Sequence, residues 1–364
     1  MTHPLQGADL GTLARVFAAG GAPDRWGEAA GIWGAALARA PITALERMLH
    51  DRRLPEIADM APPVFILGHW RSGTTHLYNT MVHGNWGYVP PVATGLPWEI
   101  FTLARWLRPM LERQLPETRY IDNIPVTPTS PQEDEIALAN MSPLSFYHGI
   151  YFPKQFERLI NRGLFFENCT EAEVRAWEQR FTYLMRKLSR QQGLPLLIKN
   201  PVYTARPDQL RRLFPGAKFI HIHRNPFDVF LSMRNFYARL LDQFALQRVP
   251  EGLDIDALIL RVYARMMAEF DAQTAVWEAP EFVELPYDLL DRQPIDALER
   301  IYDTLALPGF AEAEPAFRAY LATVARYEKN AFRGDRAAVE KVSAAWAPWI
   351  ERWGYAVPEP EQAA

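Results

Sequence analysis

The stretch Val64-Phe65-Ile66-Leu67-Gly68-His69-Trp70-Arg71-Ser72-Gly73-Thr74-Thr75 decides how this chain is read. Four apolar residues in a row, entered from Pro62-Pro63 and closed by Gly68, have the pattern of a strand buried on both faces. After Thr75 the pattern turns helical through Leu77 and Met81. A loop between a strand end and a helix start offers unpaired N–H groups and the positive end of the helix dipole, which together suit an anion. Gly73 lets a ligand approach the backbone closely. Thr74 and Thr75 add hydroxyl donors, and Arg71 adds a permanent charge with a planar donor fork. The backbone N–H groups of Ser72 to Thr75 point the same way, so the expected guest is a phosphate or a sulfate. The pattern GxxxxGK[ST] is absent, so this is not a Walker A loop. The competing reading is a tight strand–helix turn with an exposed Arg71.

Outward from this stretch the chain alternates strand and helix. Leu196-Leu197-Ile198-Lys199, Lys218 to His223 and Phe282 to Leu285 read as three further strands. Helical spacing runs through residues 8–60, 171–192, 206–214 and 253–277, and a helix over 99–115 is expected to kink or break at Pro109. Residues 87–98 and 121–132 are rich in Pro, Gly, Ser and Thr and read as loop. Residues 133–140 read as a short helix. Such alternation implies an α/β fold with a central parallel sheet flanked by helices. The expected organisation is a helical extension over 1–60 packed on the core, one domain over 61–355, and a flexible tail over 356–364.

A second strand–turn–helix follows the third strand. Arg224 sits at the carboxyl edge of Lys218 to His223, where open α/β sheets bind ligands. Asn225-Pro226 supplies an N-cap and a first-turn proline. Ser232 lies on the following helix, roughly 10 Å along its axis. The long Arg224 side chain reaches back toward that point, so the two residues suit a single phosphate. Taken alone, the plainer reading is a surface arginine and a helix serine.

Together the two segments resemble the PAPS-dependent sulfotransferases, and the Arg71 form of the loop is similar to the tyrosylprotein and bacterial branches. Lys199-Asn200-Pro201 and Leu213-Phe214-Pro215-Gly216 extend the resemblance, and Leu285-Pro286-Tyr287-Asp288 resembles a further family segment. The resemblance is strong over residues 63–81 and 196–236, looser over 282–290 and weak over 85–195. It implies a single P-loop-like α/β domain and 3′-phosphoadenosine-5′-phosphosulfate (PAPS) as donor, with Arg71, Ser72, Gly73, Thr74 and Thr75 on the 5′-phosphosulfate. It implies Arg224 and Ser232 on the 3′-phosphate, Tyr287 beside the adenine, and Lys199 on the bridging oxygen. Lys329 and Arg333 would close over the 3′-phosphate. Sulfuryl transfer asks mainly for positioning and charge stabilisation, and the single charge on the transferred group lessens the need for a metal. The acceptor, a hydroxyl or an amine, needs a general base, for which Glu99 and Glu133 compete. The cytosolic branch uses a histidine, which adds His69, His76 and His148 as alternatives, while His221 and His223 read as structural.

Composition bounds the rest. The chain has 364 residues, 49% hydrophobic and 23% charged, with a formal charge of −4, which argues against a general nucleic-acid binder. The single cysteine, Cys169, permits no internal disulfide, and the eight histidines show no metal-ligand spacing. No leader pattern and no long apolar run are evident, so a cytoplasmic setting is expected. Trp98, Phe101, Trp106, Phe146, Tyr147, Tyr151 and Phe152 make the middle of the chain aromatic, either as ordinary core or as an acceptor pocket. Arg105, Arg108 and Arg113 among apolar residues fit either a membrane surface or a lid-like site. These favour a lipid or hydrophobic alcohol as acceptor over a glycan or protein, and leave a homodimer open. The rival readings are a P-loop-like nucleotide-dependent phosphotransferase, which would need Mg²⁺ ligands near the loop, and a non-catalytic adenine-nucleotide-binding protein.

Overall fold

The computed structural model describes residues 3–107, 109–110, 113, 127–324 and 336–358. Its centre is a four-stranded, all-parallel sheet of β1 (Val64–Leu67), β2 (Leu197–Lys199), β3 (Lys218–His223) and β4 (Phe282–Pro286), in the order β2-β1-β3-β4. Parallel neighbours need crossovers, and helices supply them on both faces, which is why the strands are near-continuous apolar runs. Side chains alternate cleanly. Phe65, Leu67, Ile198 and Phe219 enter the larger core, while Val64, Ile66, Leu197, Ile220, Ile222, Val283 and Leu285 enter the smaller one.

The smaller core packs under helix α3 (Thr74–Met81) through Leu77, Tyr78 and Met81, and under Pro294–Thr304 through Leu298 and Ile301. The larger core takes Glu171–Gln192, Pro226–Phe244, Ile255–Thr274 and Arg336–Trp353. The helix Glu171–Gln192 starts where the sequence places it because Thr170 and Glu173 form a reciprocal capping box. Asn225 caps Pro226–Phe244 by accepting from the Phe227 N–H, with Pro226 in the first turn.

The N-terminal helices α1 (Leu10–Gly20) and α2 (Trp26–His50) share the larger core, with Leu13, Val16 and Ile32 in the same cluster as Phe65. Among the described residues the expected helix over 99–115 is interrupted at Leu107 and is helical again at Pro109 and Met110, next to the proline expected to break it. Its start differs from the expectation: the helix begins at Leu103, and Phe101 and Thr102 form a turn before it. The reason is a tertiary override: Glu46 of α2 accepts from the Phe101 N–H at 3.0 Å and the Thr102 hydroxyl at 2.7 Å, holding the backbone out of helical register. Pattern reading also passed over Phe156–Phe165, which is helical.

The register matters for the site. Leu67 of β1 pairs with His221 of β3, and Ile66 with Lys199 of β2. Lys199, the loop after Leu67, Arg224 after β3 and Tyr287 after β4 therefore all leave the same carboxyl edge. β2 and β3 lie on opposite sides of β1, so the chain reverses direction there and opens a crevice at the strand ends.

Candidate active site

Two glycines shape the loop. A Cβ on Gly68, at φ +140, would meet the Ile222 carbonyl at 2.4 Å, so β1 and β3 close up only without a side chain there. Its N–H donates to Thr204 Oγ1 at 2.8 Å. Gly73, at φ +97, is the N-cap of α3, and the Tyr287 ring lies flush against it. Arg71 holds φ +70, a left-handed conformation that costs a non-glycine residue of order 1–3 kcal/mol. The turn is braced from below by Trp70, which is buried against Phe146 with ring centres 4.7 Å apart, and by Ser72, whose hydroxyl donates to the His69 carbonyl at 2.7 Å.

The structure brings most of the expected residues together. Arg71 Nε donates to Ser232 Oγ at 2.7 Å, although 161 positions separate them. Arg224 Nη1 reaches the Arg71 carbonyl at 3.5 Å and Nη2 lies 3.3 Å from Asp228. Its guanidinium sits 4.9 Å over the Tyr287 ring. Two arginines and a helix N-terminus thus converge on a few ångströms of space, an arrangement whose complement is an anion with at least two negative charges.

On the β2 side, Lys199 Nζ donates to Thr75 Oγ1 at 3.1 Å and to Glu133 Oε1 at 2.5 Å. The lysine side chain is 3% exposed and the glutamate 12%. This pair is registered from beneath. Asn200 Nδ2 donates to both Asp134 and Glu135 at 3.0 Å, and its Oδ1 accepts from the Val202 N–H. The Tyr203 hydroxyl donates to Asp134. Burial lifts the Asp134 carboxyl to about 7 and raises Glu135 as well, while Arg206 nearby acts to lower Glu135. Sequence reading missed this layer. The run Glu133-Asp134-Glu135 was its only signal, and spacing alone does not say which acid faces the cleft.

Glu99 is a correction. Its carboxylate is fully buried away from the loop, gripped by Arg39 Nη1 at 2.8 Å on both oxygens and by the Thr43 hydroxyl. The hydrogen-bond partners of its carboxylate among the described residues, Arg39 and Thr43, both lie on α2, so it locks the N-terminal helices to the core. Burial raises its pKa against the opposing pull of Arg39. Lys187 plays the matching part from the core, bridging Glu46 at 2.8 Å and the Trp98 carbonyl at 2.7 Å.

The histidines divide. His69 and His148 are buried and held down to about 4 by loss of solvation, with their ring nitrogens on backbone carbonyls. His221 pairs with Glu284 at 2.7 Å, and His223 stacks on Trp353. His76 alone of the three alternatives lines a cleft, of about 1340 Å³, bounded also by Tyr88, Ser130, Pro131, Tyr287 and Tyr320. Lys329 and Arg333 lie outside the described residues, as does the tail from 359 to 364. Of the aromatic residues proposed for an acceptor pocket, Trp98, Phe146, Tyr151 and Phe152 are core, at 0% exposure, and Trp106 is on the surface.

The sulfotransferase family model matches residues 62–312, more than half of the chain. The omega-hydroxy-beta-dihydromenaquinone-9 sulfotransferases Stf3 of Mycobacterium bovis and Mycobacterium tuberculosis are each 30% identical over 324 residues, covering 87% of this chain and 81% of theirs. Among solved structures, the sulfotransferase STF9 from Mycobacterium avium superposes with a TM-score of 0.67 at 17% identity, covering 88% of this chain and 83% of that one. STF1 from Mycobacterium tuberculosis gives 0.64 at 18%, covering 93% and 91%. These two show the shared fold, and the sequence matches carry the lineage: the chain belongs to the sulfotransferase family.

Proposed function

We propose that this sulfotransferase takes its sulfuryl group from PAPS at the loop Arg71–Thr75 and passes it to a hydroxyl on a lipid-like acceptor. The observation that carries the reading is the convergence of Arg71, Ser232 and Arg224 on one side of the loop with the Lys199–Glu133 pair on the other. The first group fits a donor with phosphates at both ends of its ribose, and the second fits proton and charge handling at the transferred sulfur.

In this reading the acceptor oxygen attacks sulfur in line, a new S–O bond forms, and the S–O bond to the 5′-phosphate breaks. Glu133 takes the acceptor's proton. Lys199, with Arg71 and the N–H groups of Ser72 to Thr75, offsets the charge that grows on the bridging oxygen as 3′,5′-adenosine diphosphate leaves. Arg224 and Ser232 bind the 3′-phosphate, and Tyr287 flanks the adenine. Tyr287 and His76 border the large cleft, which gives the nucleotide and acceptor a common volume. The acceptor class rests on the Stf3 relatives, whose named substrate is a hydroxylated dihydromenaquinone. A cytoplasmic setting belongs to the same proposal.

The test is transfer of ³⁵S from labelled PAPS to a panel of hydroxylated isoprenoid quinols, fatty alcohols, sugars and a tyrosine peptide. Label in the lipid-like acceptors supports the reading. Label confined to sugar or peptide replaces the acceptor half and leaves the donor half standing.

A further inference from the structure

Helix α2 inverts the usual order of a surface helix. A helix on a water-facing surface turns its charges outward. Here Arg39 and Glu46 point inward, 8% and 0% exposed, into ion pairs with Glu99 and Lys187. From Ala30 to Leu49 no exposed position carries a charge. Leu37, Met48 and Leu49 are 66%, 72% and 45% exposed, and the other exposed positions are Ala, Gly or Pro. Trp26, 66% exposed, precedes Leu37 by the same interval that separates Leu37 from Met48. That interval is close to three whole turns, so the three side chains fall on one line about 33 Å long.

A second ridge continues this face. The Phe101 ring lies 4.9 Å from His50, so Leu103–Trp106 begins beside the last turn of α2. It presents Trp106 at 60% exposure, followed by Met110 at 48%. Six of the nine large apolar side chains exposed among the described residues therefore lie on α2 or on this adjoining segment, a concentration that marks an interaction surface. Exposed Arg52, Arg53 and Arg105 rim it and make no ion pair among the described residues. Glu56 nearby is already bound to Arg186 at 2.9 Å.

We propose that this face docks flat on an anionic lipid surface, the apolar side chains sinking into the headgroup region and the arginines meeting lipid phosphates. The charge pattern selects this occupant over a second copy of the chain. In a two-fold dimer the same patch meets itself, which crowds like-charged arginines together. No helix among the described residues is long and apolar enough to cross a membrane, so the contact is peripheral. The proposal goes beyond the acceptor reading and does not depend on it.

The experiment is flotation of the full chain with phosphatidylcholine vesicles, with and without phosphatidylglycerol, alongside light scattering to fix the oligomeric state. The protein should float with the anionic vesicles and be released by about 0.5 M salt. The variant Met48→Glu with Trp106→Glu should partition about tenfold or more weakly, while its Tm and its affinity for 3′,5′-adenosine diphosphate stay unchanged. Arg52→Glu with Arg53→Glu should abolish the preference for anionic over neutral vesicles. No flotation, flotation indifferent to lipid charge, unchanged flotation of the Met48→Glu, Trp106→Glu variant, or a dimer broken by Met48→Glu would each overturn the proposal.

Discussion

Gly73→Ala probes the joint between the loop and β4 with a single methyl group. A Cβ at this position would sit 2.1 Å from Tyr287 Cδ2 and 2.7 Å from Cε2, well inside contact distance. The ring must retreat by about 1.5 Å, an overpacking that costs roughly 1–3 kcal/mol. Alanine at φ +97 adds about 1–2 kcal/mol of backbone strain. The expected loss is therefore about 2–5 kcal/mol. At about 2.1 cal/mol/K per residue over the 364 residues, this lowers Tm by about 3–7 °C. Tyr287 also carries Arg224 on its face at 4.9 Å, so moving the ring should weaken binding of 3′,5′-adenosine diphosphate as well. Differential scanning calorimetry and nucleotide titration read the two effects. Adding Tyr287→Ala should restore the part of the stability lost to the clash and leave the part lost to strain, a coupling visible in the double-mutant cycle. A Gly73→Ala protein with unchanged Tm and unchanged nucleotide affinity would refute the placement of Tyr287 on the loop.

Other substitutions separate the roles of neighbouring groups. Glu133→Gln should lower kcat by about 10²–10⁴ with nucleotide affinity retained, as for loss of a general base. Glu99→Gln should keep kcat and lose stability instead, because Arg39 loses its buried charge partner; a steady-state comparison with parallel melting curves distinguishes them, and the reverse pattern would return the base role to Glu99. Arg224→Ala should weaken binding of 3′,5′-adenosine diphosphate by about 2–3 kcal/mol and leave 5′-AMP nearly unaffected. Asp134 gives a pH test. Its carboxyl rises from the usual 3.8 to about 7 on burial, so the folded state holds the proton more tightly. The resulting stability is complete below about pH 4 and is lost as pH rises through about 7. Chemical denaturation from pH 4 to 8 should show that decline in the wild type and a flatter profile in Asp134→Asn. Equal slopes would remove Asp134 as its source.

What the sequence made legible was local. β1 and β3 announce themselves as apolar runs because both their faces are covered, and Asn225-Pro226 marks a helix start through groups within two residues of each other. The loop at Arg71 could be read for the same reason, since its chemistry belongs to a single turn. What stayed hidden was pairing across long separations. Glu99 and Glu133 look alike in sequence, each acidic beside a Pro-containing loop, yet one is bound by Arg39 sixty positions back and the other by Lys199 sixty-six positions on. No periodicity encodes those partners. Likewise the outward face of α2 is unreadable until Arg39 and Glu46 are seen to turn inward, because their presence makes the helix look amphipathic in the ordinary sense.

The most direct test of the central claim is calorimetric titration of the full chain with 3′,5′-adenosine diphosphate, against 5′-AMP and against ATP with Mg²⁺. The account predicts tight binding that requires the 3′-phosphate and is lost in Arg224→Ala. Absence of binding, or a preference for ATP with Mg²⁺, would contradict it and leave the family's donor without a site at Arg71 and Arg224.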